Sequence, residues 1–341
     1  MKRNILFILI SFLLVYCNNR NKNPNENIFI YEQSIESIID KYAEIEVLGD
    51  SIILPEGPVW DKYSNSLLFV DIMQNRVLKW NENTGVKEFI SPSGNTGYAP
   101  NLGEGILGAN GLSLNKSGEL VLCQHGDRRL AKVSNTQSYN PTFTTVVDNF
   151  NGNRLNSPND LVISKNGTIY FTDPPFVFFD LNTFSFVKTD MKQLGFNGVF
   201  KFNPNENKLT LLSKEIQVPN GIGLSPDEKF LYVNSMGAPF ATSSSKIIRI
   251  ELENNESETF FDEKDLSDKY EGNFDGMAVH SSGNIFTSGP GGLLVISPKG
   301  DLKARINFGD ITNCTFDDKE KYLYVTGFLS NPKLFRLKMK D

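Results

Sequence analysis

The chain has 341 residues, 34 of them Lys or Arg and 40 Asp or Glu, for a formal charge of −6. That balance supplies no basic field for a phosphate backbone, and no Lys/Arg stripe interrupts it, so nucleic acid is not an expected partner. Three cysteines and two histidines are too few for a disulfide framework, and they show none of the ligand spacings of zinc modules.

Residues 1–17 read as an export signal. Lys2 and Arg3 give a positive start, and Ile5–Tyr16 is an apolar run too short to remain as a membrane span. The run ends at Cys17, as in bacterial lipoprotein signals where that cysteine is lipidated; the alternatives are an ordinary cleaved signal or an uncleaved anchor. Asn18–Asn27 has nothing to bury and reads as a flexible tether, drawn through residue 30, so the expected location is the periplasm or cell envelope, tethered to membrane by lipid alone. The folded domain is then 31–341, a monomer, with the stretch Ile28–Ile53 contributing a lead-in helix (Gln33–Tyr42) and an outer closing strand.

From Glu56 onward one unit recurs: a polar head, a short alternating strand, a turn rich in Asn, Ser, Lys and Gly, and a second, strongly apolar strand. Its heads fall at Glu56, Asn110, Asn159, Asn220, Asp275 and Asn313, a period of about 40 to 60 residues. Third strands follow in several units, as in Arg76–Trp80, Gly198–Phe202, Lys246–Ile250 and Lys333–Leu337. Six all-β units without a linker predict a six-bladed β-propeller with four-stranded blades around a central metal-containing channel, because radial repetition protects the sheet edges. Two separate β-sandwiches would need a break that the repeat does not show. Cys123 and Cys314 fall inside strand patterns and are expected as buried free thiols, paired only if the fold joins them.

The inner strand of a blade starts at the channel mouth, so blades one, three, four and five aim Glu56, Asn159, Asn220 and Asp275 at one centre. Two carboxylates and two amide oxygens suit a hard divalent cation, calcium or magnesium first, with zinc and manganese as alternatives. Taken singly, each Asn-Gly or Asp-Gly is an ordinary turn dipeptide. Recurrence at four equivalent positions, with Glu56 in a Pro-Glu-Gly-Pro setting that needs no turn former, favours the metal reading.

The stretches Glu56–Trp60, Asn110–Leu112 with Leu122–Arg129, Leu155–Leu161 with Phe171–Phe176, Pro219–Lys229, Asp275–Val279 and Asn313–Phe316 together resemble the SMP-30/gluconolactonase/luciferin-regenerating-like family, especially its bacterial lactonase branch. The resemblance spans Ser51–Leu337. It implies one catalytic divalent metal, commonly calcium, on Glu56, Asn220 and Asp275, with Asn159 as a further ligand or substrate contact, and hydrolysis of a sugar lactone to the aldonic acid. The expected chemistry is polarisation of the lactone carbonyl and attack by an activated water. Asp275 is the favoured general base, with Glu56 or a cation-activated water without a separate base as alternatives. Asn110 is expected to contact substrate hydroxyls. His125 serves either as acid/base or hydrogen-bond donor in the channel, or as a structural histidine on a backbone carbonyl.

Arg128, beside Arg129, is a candidate for binding the carboxylate product; otherwise the pair is solvated or paired with acids. Asp173 is expected to fix a strand end, His280 to sit exposed in a turn, and the long loop Ser91–Leu107 to act as a lid. Two other functions remain open on the same residues: a phosphotriesterase or arylesterase using the same cation, and a non-catalytic ligand-binding propeller lipoprotein.

Overall fold

A computed structural model of the chain describes residues 23–100, 102, 105–135, 141–328 and 330–340. The expected signal, Cys17 and the first part of the tether lie outside them. The described residues form six antiparallel sheets arranged as blades, each running outward from an innermost strand in sequence order. Blade one is Pro55–Asp61, Ser66–Asp71, Arg76–Asn81 and Gly85–Ile90; blade two is Ala109–Leu114, Leu120–Gln124, Arg129–Asn135 and Thr142–Val147. Blade three is Leu161–Ile163, Ile169–Asp173, Gly198–Asn203 and Lys208–Ser213; blade four is Pro219–Leu224, Phe230–Ser235, Lys246–Glu251 and Ser257–Asp262. Blade five contains Met277–Val279, Ile285–Gly289, Gly292–Ile296 and Leu302–Ile306, and blade six Ile311–Phe316, Tyr322–Gly327 and Leu334–Lys338. Neighbouring innermost strands touch all the way round, from blade one through blade six and back to blade one.

The N-terminal segment completes the ring. Ile45–Gly49 is the outer strand of blade six, with Ile45 opposite Leu337 and Val47 opposite Phe335, as expected for the closing strand. Two boundaries differ from the sequence reading. Ile28–Ile30, assigned to the tether, pairs with Ala304–Ile306 as a fifth strand on blade five, because Ile28 is buried there beside Ile35 and Ile39. The lead-in helix is a short 3₁₀ turn over Gln33–Ser37; the Asp40 carboxylate accepts the Tyr42 amide and the Asp40 carbonyl the Ala43 amide, making a turn that stops it.

The core is a set of wedges between blades. Six apolar clusters fill the six blade interfaces: Leu68, Val70 and Leu122 between blades one and two, Cys123 and Phe171 between two and three, and Phe286, Cys314 and Val325 between five and six show the pattern. Second strands are covered on both faces, so Ser66–Asp71, Leu120–Gln124 and Ile169–Asp173 are buried throughout. Outer strands such as Ser257–Asp262 are half polar and open. Burial decreasing outward explains why the second strand of each unit reads as an unbroken apolar run. Cys123 and Cys314 lie in different wedges as buried free thiols.

Candidate active site

The heads meet at the axis because the blades are joined there by backbone. The Gly111 amide donates to the Asn159 carbonyl, Gly221 to Asp275 and Gly276 to Thr312, each at 2.7 Å. Thr172 Oγ1 donates to the Asn220 carbonyl and Thr312 Oγ1 to the Pro55 carbonyl, also at 2.7 Å. This stitching leaves no room for a side chain after the head: a Cβ on Gly57 would meet the Asn110 carbonyl oxygen at 2.2 Å, one on Gly221 the Asp275 oxygen at 2.3 Å, and one on Gly276 the Asn313 side chain at 2.0 Å. The head glycines are therefore set by close approach of the neighbouring blade. Turn formation is not their role at Gly111, Gly221 and Gly276, none of which has a left-handed φ.

Register shifts interrupt the inner strands of blades one, two, four and six at the heads, between Glu56 and Val59, Ala109 and Leu112, Pro219 and Ile222, and Ile311 and Asn313. In blades three and five the regular strand starts only after the head. An irregularity of this kind re-aims a side chain out of the pleat. Consequently Glu56, Asn110, His125, Asn159, Asn220 and Asp275 all line one cavity at the channel mouth.

An amide relay runs across its floor. Asn110 Nδ2 donates to Asn159 Oδ1 at 2.7 Å, and Asn159 Nδ2 to Asn220 Oδ1 at 2.6 Å. Asn220 in turn hydrogen-bonds the Asp275 carboxylate, and its Nδ2 also reaches Met236 Sδ at 3.1 Å. Glu56 Oε2 accepts from the Gly57 amide and from Asn313 Nδ2, the latter at 3.0 Å. Among the described residues no cationic side chain offsets either acid. Burial and the charges of Asp275 and Asp160 raise Glu56 well above the ordinary carboxylate range, and burial followed by the Asp160 charge raises Asp275. Two acids and two amide oxygens converging without a counter-charge fit a hard divalent cation, which would hold both carboxylates ionised. Among the described residues no three His, Cys, Asp or Glu side chains cluster as ligands, so the amide oxygens of Asn159 and Asn220 are needed to complete the set.

His125 is held on a backbone carbonyl, as one of its two expected roles has it, and also lines the cavity. Its Nδ1 donates to the Ile106 carbonyl at 3.2 Å, which leaves Nε2 as a lone-pair acceptor. Among the described residues Nε2 is buried without a hydrogen-bond partner. Burial pushes the ring down to about 4, against the opposing effects of the Ile106 carbonyl and Asn159, so the imidazole is neutral near pH 7.

Arg128 does not line this cavity. Its Nε donates to the Leu155 and Asn156 carbonyls at 2.8 and 3.0 Å, and Nη1 to the Met191 carbonyl at 2.8 Å. Asp173 accepts the Asn156 and Ser157 amides from the other side, both at 2.8 Å. Together they pin the loop that delivers Asn159. Asp127 and Arg129 do the same for the expected lid: Asp127 Oδ1 accepts the Thr96 and Tyr98 amides, and the Arg129 guanidinium lies 3.7 Å over the Tyr98 ring. His280, expected exposed, is buried, with Nε2 3.2 Å from Glu320 Oε2 and Nδ1 bonded to Ser282; a glutamate on the adjacent blade covers its turn.

Sequence reasoning passed over Asp160. It is buried one residue past Asn159, further along the inner strand, and faces the opposite mouth of the channel near Asn313. Burial pushes it up to about 7. Also missed was an apolar wall above the polar floor, where Phe176, Phe179 and Phe184 from blade three meet Met236 and Phe240 from blade four. The density of Phe between 171 and 186 was its available signal.

This architecture has known counterparts. A family model described as the SMP-30/Gluconolactonase/LRE-like region matches residues 54–328. A gluconolactonase of Zymomonas mobilis is 34% identical over 318 residues, covering 91% of this chain and 86% of the relative. The solved structure of a gluconolactonase from Xanthomonas campestris superposes with a TM-score of 0.76 at 26% identity, covering 93% of this chain and 95% of the other. A calcium-binding regucalcin from Agrobacterium tumefaciens shares the fold, with a TM-score of 0.66 at 17% identity over 87% of this chain and 95% of its own. The chain belongs to the SMP-30/gluconolactonase/LRE-like family.

Proposed function

We propose that the protein is a lactonase whose activity depends on one divalent cation at the channel mouth. The observation that carries this reading is the meeting of Glu56, Asn159, Asn220 and Asp275 in one cavity with, among the described residues, no cationic side chain against either acid. The kinship with the Zymomonas and Xanthomonas gluconolactonases supports a lactone as substrate, a sugar lactone being the first to assay. The calcium-binding relative supports calcium as the first ion to test. Glu56, Asn159, Asn220 and Asp275 would hold the ion, which supplies a Lewis acid for the ester carbonyl.

The chain's own groups do the rest. Asp275, which lines the cavity, takes the proton of the attacking water. His125 Nε2, held as an acceptor by the Ile106 carbonyl, accepts a hydrogen bond from that water or from a substrate hydroxyl. Asn110, fixed at the end of the amide relay, orients the ring. The ring oxygen leaves as the hydroxyl of the open acid, receiving from Asp275 the proton that the carboxylate took from the water as the carbonyl reforms.

The test is hydrolysis of a lactone panel by the purified protein with calcium, after chelation, and in an Asp275→Asn variant. Loss of ring opening in the last two supports the reading. A folded, calcium-loaded protein that opens no lactone refutes it, and turnover of phosphotriesters or aryl esters in that case selects the alternative hydrolase. We further propose export and lipid tethering through Cys17, on the strength of Lys2, Arg3 and the apolar run Ile5–Tyr16. Labelled palmitate incorporated by the parent and lost in Cys17→Ser is the expected result.

A further inference from the structure

The cavity above the amide relay is walled by hydrocarbon. Phe240, from the loop after the second strand of blade four, sits at the centre of a cluster: Phe176 at 5.9 Å, Phe179 at 5.3 Å and Phe184 at 5.8 Å between ring centroids. Phe179 and Phe184 belong to a small hairpin, Phe179–Asp180 paired with Ser185–Phe186, that blade three inserts between its second and third strands. Met236 completes the wall beneath them. The tip of the hairpin leaves Leu181 and Phe184 exposed at 38% and 45%, beside the opening. Single apolar residues at a surface need no explanation, but these two continue the lining of a site.

A second cavity shares Met73, Phe179 and Leu181 with the first and runs behind the hairpin, among Leu102, Leu107, Val177 and Met191. Asp180, Asn182 and Thr189 line that second cavity too, so its apolar side is the one it shares with the first, along Met73, Phe179 and Leu181. The polar groups of the first cavity, among the described residues, are confined to that floor, and the amides there already bond one another. A substrate hydroxyl pressed against the phenylalanine wall would give up water without a replacement partner. A hydrocarbon substituent at the same place gains from burial.

We propose that the preferred substrate is a lactone bearing one apolar alkyl or aryl substituent, seated on the Phe176–Phe179–Phe240 wall with its far end directed along the hairpin toward the second groove. This rests on the lactonase reading and names the substrate class within it. The polyhydroxylated ring of a sugar lactone is then the poorer substrate.

Each methylene fully buried contributes about a fourfold gain in binding. With calcium supplied, kcat/KM is expected to rise at least about tenfold from δ-valerolactone to δ-decanolactone, which adds five carbons, allowing for incomplete burial. D-glucono-δ-lactone, corrected for spontaneous opening, is expected below δ-decanolactone. Leu181→Ser and Phe184→Ser change exposed tip residues, and each is expected to lower the decanolactone-to-valerolactone ratio at least threefold, on the order of one methylene's worth. In parallel, calorimetry with unreactive δ-lactams should show the pentyl-substituted ring binding more tightly than the bare ring. If both δ-lactones and gluconolactone are opened but the alkyl chain gives no advantage, the apolar-substituent proposal is overturned and the lactonase reading stands. If no lactone is opened while the pentyl lactam still binds preferentially, the hydrolase reading fails and the apolar site survives it. If neither occurs, both fall.

Discussion

Replacing Gly221 by alanine tests whether the ring of heads is held by direct backbone contact. The new Cβ would lie 2.3 Å from the Asp275 carbonyl oxygen and 2.7 Å from Gly276 Cα, so blades four and five must part by about 1 Å to restore ordinary contact distances. The 2.7 Å bond from the Gly221 amide to that carbonyl is lost in the process. Overpacking of this kind costs about 1–3 kcal/mol and the hydrogen bond about 1 kcal/mol, together about 2–4 kcal/mol. In a chain of this size that lowers Tm by about 3–6 °C. The displaced carbonyl belongs to Asp275, whose side chain faces the cavity, and misplacement by about 1 Å costs on the order of 100-fold in turnover. Scanning calorimetry and kcat/KM for a good lactone measure the two effects. Gly195→Ala is the control: it has no left-handed φ and nothing within 4 Å of its Cβ, so its Tm should be unchanged or slightly higher. A Gly221→Ala protein that melts within about 1 °C of the parent and keeps most of its activity would show that the blades are not locked together here.

Calcium at about 100 times its dissociation constant should stabilise the parent by about 2.7 kcal/mol, seen as a rise in Tm that chelation reverses and that Glu56→Gln with Asp275→Asn abolishes. Arg128→Ala strands the Leu155, Asn156 and Met191 carbonyls and should cost about 2–4 kcal/mol by denaturant titration; inhibition by the product acid should be unchanged in Arg128→Lys if the arginine holds only the loop. His125→Gln should reduce kcat by about 100-fold, the lower range for a positioned proton acceptor, measured at constant calcium. Asp173 is pushed from its ordinary 3.8 up to about 7, first by burial and against the Asn156 and Ser157 amides. The native state therefore binds this proton more tightly than the unfolded chain, and the associated stability, full below about pH 4, is lost as pH rises through about 7. Asp173→Asn should flatten that part of the Tm–pH profile.

The blades were legible because each second strand is covered on both faces and so reads as an uninterrupted apolar run, as in Leu67–Val70 and Leu231–Val233. Equivalent heads followed from the period. Their glycines, however, look like turn formers in one dimension, and only the approach of the adjacent blade to Gly221 or Gly276 reveals the real constraint. The irregularities that send Asn159 to one mouth and Asp160 toward the other have no sequence signature, so Asp160 went unnoticed beside its neighbour. Arg128 illustrates a different limit: its partners are main-chain carbonyls, which every sequence offers everywhere. Ile28–Ile30 is too short an apolar run to separate from a tether without the edge it covers. His280 looked exposed because Glu320, which covers it, lies 40 residues away on the next blade.

Arg336 reaches across 290 residues to bond Glu46, on the same outer ladder where Ile45–Gly49 meets Leu334–Lys338. A ring fastened this way cannot close until residues 334–338 are available to pair, however early blades one to five take shape. Until then, the exposed edge of Ile45–Gly49 waits for its mate, and loop-closure entropy makes that long-range pairing a slow event in assembly. The fastening strand thus couples the two ends of the chain: the wedge between blades six and one cannot be completed by either end alone.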